Sequence, residues 1–84
     1  MRRNPELFFT MITLYADGLL QCQMKEMDRV TDRLGVVQVT YELSAPVTFN
    51  EGVEYEIGRD GMLNRKVEPI GYGTGLMTAT LKHK

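Results

Sequence analysis

VTFNEGVEYEIGRDG, Val47 to Gly61, decides how this chain is read. Apolar and polar residues alternate through its centre, with Val53, Tyr55 and Ile57 on one side and Glu54 and Glu56 on the other. A period of two sends successive side chains to opposite faces of a strand, so the first set turns to a core and the carboxylates to water. Asn50-Glu51-Gly52 and Gly58 to Gly61 supply the flanking turns. The stretch reads as strand, tight turn, strand, tight turn.

The same rhythm extends both ways. Downstream come a strand at Met62 to Val67, a break at Pro69, a glycine-rich loop and a last strand at Leu76 to Leu81. Upstream, Val36 to Leu43 alternates, with Val37, Val39, Tyr41 and Leu43 on one face, until Pro46 breaks it. Leu7 to Ala16 is aromatic and branched on both faces, which suits a central strand. Asp17-Gly18 then signals a two-residue hairpin, because both central positions need positive φ. In residues 19–25 Leu20, Cys22 and Met24 point inward and Gln21, Gln23 and Lys25 outward.

One segment changes period. Met24, Met27, Val30 or Thr31, and Leu34 recur at three- and four-residue steps, the stripe of an amphipathic helix, and Gly35 supplies a stop. Glu26 with Arg29, and Arg29 with Asp32, are spaced to pair on its polar side, each pair worth ~0.2–0.5 kcal/mol. A helix this short must dock on the sheet to form. The rival reading is a longer second strand that curls through Met27. The expected class is mainly β, α+β at most. It is a small antiparallel sheet or partly open barrel of about five or six short strands, with one short helix around 24–34. The whole chain, 1–84, reads as a single small domain, with no repeat, linker or low-complexity tract.

Composition bounds the chemistry. At 84 residues the chain sits just above the ~70–80 at which one apolar core suffices unaided. No apolar run approaches the ~18 residues of a membrane span. Arg2 and Arg3 precede the apolar run Leu7 to Leu14, but Thr10 and Thr13 interrupt it, so a strand is preferred to a secretory signal. The expected location is cytoplasmic, or virion-associated for a viral protein. Net charge is −1, which gives no global basic field for a phosphate backbone. Acids gather from Glu42 to Asp60, where Arg59 is the only base, and bases sit at both ends. A single cysteine excludes an internal disulfide and a multi-cysteine zinc site.

Each chemical candidate has a plainer explanation. GYGTG, Gly71 to Gly75, precedes a strand and lacks the lysine of a phosphate loop, so it reads as a turn that holds Tyr72 at its tip. His83, the only histidine, lies in what reads as a frayed tail, where no neighbour would hold it for catalysis. Cys22 reads as a small buried hydrophobe. Glu54 and Glu56 lie roughly 7 Å apart on one strand face, without the cleft that would set an acid–base pair apart. Six methionines read as adaptable core filling, with a contact surface as the alternative.

The leading expectation is a non-catalytic protein-interaction or assembly module that oligomerises or docks on a larger protein, with no catalytic residue, cofactor, metal or membrane. Its candidate interface is Tyr72, Met62, Arg65, Glu54 and Glu56. The alternative is a small barrel that binds single-stranded nucleic acid, with Tyr15, Tyr41 and Tyr72 stacking bases beside Arg65 and Lys66. A third possibility is an acidic decoy built on the Glu42 to Asp60 run. Ala45 to Gly61 also resembles strand-turn-strand segments of bacteriophage tail and baseplate proteins. That likeness is one of rhythm, covers this stretch alone and carries over no functional residue; it implies a small viral protein.

Overall fold

The computed structural model describes residues 11–59 and 64–84. Over these the chain forms six strands: β1 (Met11–Ala16), β2 (Leu19–Thr31), β3 (Val37–Phe49), β4 (Tyr55–Gly58), β5 (Arg65–Pro69) and β6 (Gly73–His83). Every pairing is antiparallel, and the ring order β1-β2-β3-β6-β5-β4 closes when β4 pairs back onto β1. The fold is a closed barrel of the expected strand number, where the sequence had left an open sheet or partly open barrel as alternatives. Residues 7–10 of the expected first strand, Asp60 and Gly61 of the expected turn, and Met62 lie outside the described residues.

Inward positions fill the barrel. Leu14, Met24, Val39, Tyr41 and Leu81 are wholly buried, and Tyr55 and Ile57 are buried as the alternation requires. Each large apolar side chain removed from water contributes ~1.5–3 kcal/mol, and a small barrel has no other interior to draw on. Asp17 and Gly18 both take positive φ (47° and 81°), the hairpin turn read from the sequence. The turn after Phe49 works differently from a hairpin. β3 and β4 are not neighbours in the ring, so Asn50 to Glu54 carries the chain across one end of the barrel. Gly52, with φ 82°, makes that crossing possible.

No helix forms over 24–34; the rival reading is the one observed. β2 runs on to Thr31 and pairs with β3 as far as Val37. Met27 is 58% exposed and Leu34 88%, so the supposed stripe buries only Met24. The strand carries a bulge there: Glu26 stands opposite Tyr41 and Asp28 opposite Thr40, which leaves Met27 as an inserted residue. The bulge brings Glu26 and Arg29, three apart, to the inward face, while Met27 and Val30 of the apolar stripe stay exposed. The ladder to β3 outweighs a helix too short to hold itself. Gly35, taken as a helix stop, shapes the β2–β3 turn, where the Asp32 carboxylate accepts the amides of Leu34 (2.8 Å) and Val36 (3.0 Å).

Three smaller expectations change too. Pro46 does not end its strand; it falls between Glu42 and Val47, where the β3–β6 register slips and the ladder needs no amide from it. A further bulge on β2 brings Leu20 opposite Tyr15 and Cys22 opposite Leu14, so Leu20 turns outward while Cys22 stays buried. Gly73 to Gly75, expected as loop, already belongs to β6, and the same strand reaches His83.

Candidate functional site

Alternation also decides what looks into the barrel near its ends, and at one end the inward positions stop being apolar. On β5, Arg65 lies two residues before buried Val67 and opposite buried Ile57. On β6, His83 follows buried Leu81 by two and stands opposite Val67. On β2 the Met27 bulge sets Glu26 opposite Tyr41 and Arg29 opposite Val39, so both face inward. Arg59 follows directly after β4. Together they frame a cavity of about 250 Å³ lined by Arg29, Arg59, Arg65 and His83. Tyr41 and Ile57 close its inner side.

Two contacts order this mouth. The Glu26 carboxylate accepts two bonds from Arg29, from Nε at 3.0 Å and Nη2 at 2.7 Å. Both side chains remain partly exposed, so the pair is worth at most about 1 kcal/mol and is readily exchanged. Deeper in, the Tyr41 hydroxyl and His83 Nε2 share a hydrogen bond of 3.1 Å. Burial pushes the Tyr41 phenol up to about 12, with Glu26 adding to the rise against Arg29 and Arg59. Burial also holds His83 below its ordinary 6.5, helped by the charges of Arg29 and Arg65 and opposed by Glu26. The bond from Arg29 draws Glu26 below the usual carboxylate value against the cost of its burial. The phenol therefore keeps its proton, and near neutral pH the imidazole is uncharged.

Among the described residues neither Arg59 nor Arg65 pairs with a carboxylate. The mouth thus presents two guanidinium forks to solvent beside a neutral hydrogen-bonding pair. Its volume lies below the ~300–1,000 Å³ of pockets for drug-sized molecules. It can hold one anionic group. No family model, curated protein or solved structure matches this chain. Function has to be read from the mouth itself.

The residues singled out from sequence scatter. Tyr72 and Glu54 come together in a smaller groove of about 160 Å³, which Lys66 and Lys84 also line. Glu54 is paired there with Lys66 at 3.4 Å, both exposed. Glu56 stands opposite Lys66 and accepts a long bond from the Asn64 amide (3.4 Å). Of the candidate interface Arg65 alone belongs to the mouth, together with Tyr41 from the nucleic-acid alternative. Arg29, Arg59 and His83 were not among the candidates. The spacing of Glu26 and Arg29 signalled their pair, but on the wrong element. His83 was dismissed as tail, although Lys84 is itself tied to β5 by its amide (3.2 Å to the Lys66 carbonyl). A basic residue two places from a buried one on β5 and on β6 was the signal that could have found Arg65 and His83.

Proposed function

We propose that this chain is a non-catalytic interaction module that docks on a larger protein by taking a negatively charged side chain of that partner into the barrel mouth. The observation that carries the reading is the gathering of Arg29, Arg59 and Arg65 around one cavity in a chain of net charge −1. Like charges held together repel, and an incoming anion relieves that repulsion while supplying charge-assisted hydrogen bonds. Tyr41 and half-buried His83 share a hydrogen bond on the inner side of the mouth, and with the phenol protonated the pair adds neutral hydrogen-bonding groups to the charged ones. The outer faces of β2, β3 and β6 carry Gln23, Lys25, Glu42, Thr78 and Thr80, interleaved on β2 with exposed Leu20, Met27 and Val30. Charged and amide side chains spread over those faces suit an aqueous partner better than lipid. The reading places the chain wherever its larger partner stands, in the cytoplasm or on a virion.

The nucleic-acid reading fares worse on these residues. Tyr41 is wholly buried and offers no ring face for a base. Tyr72 lies in the other groove, and Arg65 and Lys66 look to opposite sides of β5. A titration of isotope-labelled protein at low salt tests the choice. A short oligoglutamate peptide should shift the amides of Arg65, Val67 and His83, and R65E should abolish those shifts. Shifts confined to the Glu54 face, or stronger binding of an oligothymidylate, would overturn the reading.

A further inference from the structure

Charge and shape at the mouth narrow the ligand further. Arg29 is already matched by Glu26, and His83 is uncharged near neutral pH, so Arg59 and Arg65 leave two unmatched positive charges among the described residues. A carboxylate would cancel one of them. A phosphate monoester carries close to two negative charges at neutral pH and offers three strong acceptor oxygens. Those oxygens diverge, whereas the two of a carboxylate lie in one plane. The arginines are likewise spread around the mouth: Arg59 and Arg65 stand on the paired arms of β4 and β5 and Arg29 on β2, with β1 between, so a ligand there is met from two sides. The cavity, about 250 Å³, takes a phosphoryl group and its first carbons but not a nucleotide.

We propose that the mouth is a pocket for a phosphate monoester carried on a phosphorylated side chain of a protein partner. This inference rests on the docking reading above and specifies its ligand. Arg59 and Arg65 hold the phosphoryl oxygens. In the free protein the Glu26 carboxylate occupies Arg29, a tethered stand-in at the place a third oxygen would take. The Tyr41–His83 pair sets a neutral hydrogen-bonding floor beneath them. Recognition is non-covalent, and no group is transferred.

Calorimetry at about pH 7.5, where the monoester is a dianion, tests this with matched ligands. The probes are a short phosphoserine peptide, the same peptide with glutamate in its place, and free O-phosphoserine. The phosphopeptide should bind about tenfold more tightly than the glutamate peptide or more. Arg65→Gln should lose about tenfold, and Lys66→Gln, on the other face of the same strand, should lose nothing. Glu26→Gln should gain about fivefold by freeing Arg29. Equal affinity for the phospho- and glutamate peptides would overturn the phosphate assignment while leaving the docking reading intact. Binding of free O-phosphoserine as tight as the peptide would overturn the protein source in favour of a small metabolite. Failure of all three ligands to bind would remove both readings. A weaker Glu26→Gln variant would overturn the stand-in role.

Discussion

The two ends of this barrel are built from the same strands and use them in opposite ways. At one end Phe49 lies against Tyr55, ring centroids 5.1 Å apart and tilted by 44°. The Asn50 amide reaches the Tyr55 hydroxyl at 2.8 Å, so the crossing loop is pinned and the interior sealed. At the other end the inward positions of β2, β5 and β6 carry Glu26, Arg29, Arg65 and His83, and space remains between them. Apolar side chains there would each add ~1.5–3 kcal/mol of burial, which this end forgoes. One end is closed by aromatic packing, and the other leaves a polar cavity lined by arginines.

The sharpest way to break that contrast is truncation of the seal. Phe49→Ala should cost about 3–5 kcal/mol in chemical denaturation, while Arg65→Ala should cost less than about 1 kcal/mol. Equal losses would mean the mouth is structural after all. Next in size is Tyr41→Phe, which removes the hydroxyl from His83 and should cost about 0.5–1.5 kcal/mol by the same assay.

A pH series sharpens the contrast further. The folded state holds His83 below 6.5, so between its folded value and 6.5 the unfolded chain binds more protons. The stability this neutral imidazole confers is present above 6.5 and is lost as the pH falls from there through the folded value. The melting temperature should decline over that window, and His83→Gln should flatten the decline. Glu26, drawn below 4.5, adds a second loss at lower pH. The smallest effect belongs to the outer face: Glu54→Gln breaks an exposed pair with Lys66 and should change stability by less than about 0.5 kcal/mol.

What the sequence disclosed follows from how local each signal is. Tyr55, Ile57 and Cys22 announced their burial because alternation is a property of neighbouring residues. Asp17-Gly18 announced its turn because both positions need positive φ, which is equally local. The segment 24–34 was misread because apolar residues at three- and four-residue steps stand on exposed positions of a strand, and only the pairing with distant β3 shows that they form no buried face. Pro46 was misread because its missing amide matters only if the ladder needs it there. The mouth was out of reach for a different reason. Arg29, Arg59, Arg65 and His83 meet only through ring closure, which no local period encodes.

That closure has a kinetic consequence. β6 is seated between β3 and β5, and Thr40 meets Thr80 across the β3–β6 ladder, hydroxyl to hydroxyl at 2.9 Å. Contacts this distant along the chain form slowly, on the millisecond-to-second scale typical of β-barrels. Half-made chains emerging from a ribosome would carry Arg29 without His83 beside it. A chain without β6 has neither the closed ring nor the cavity, because seating that strand joins β3 to β5 and brings His83 to the arginines in one event.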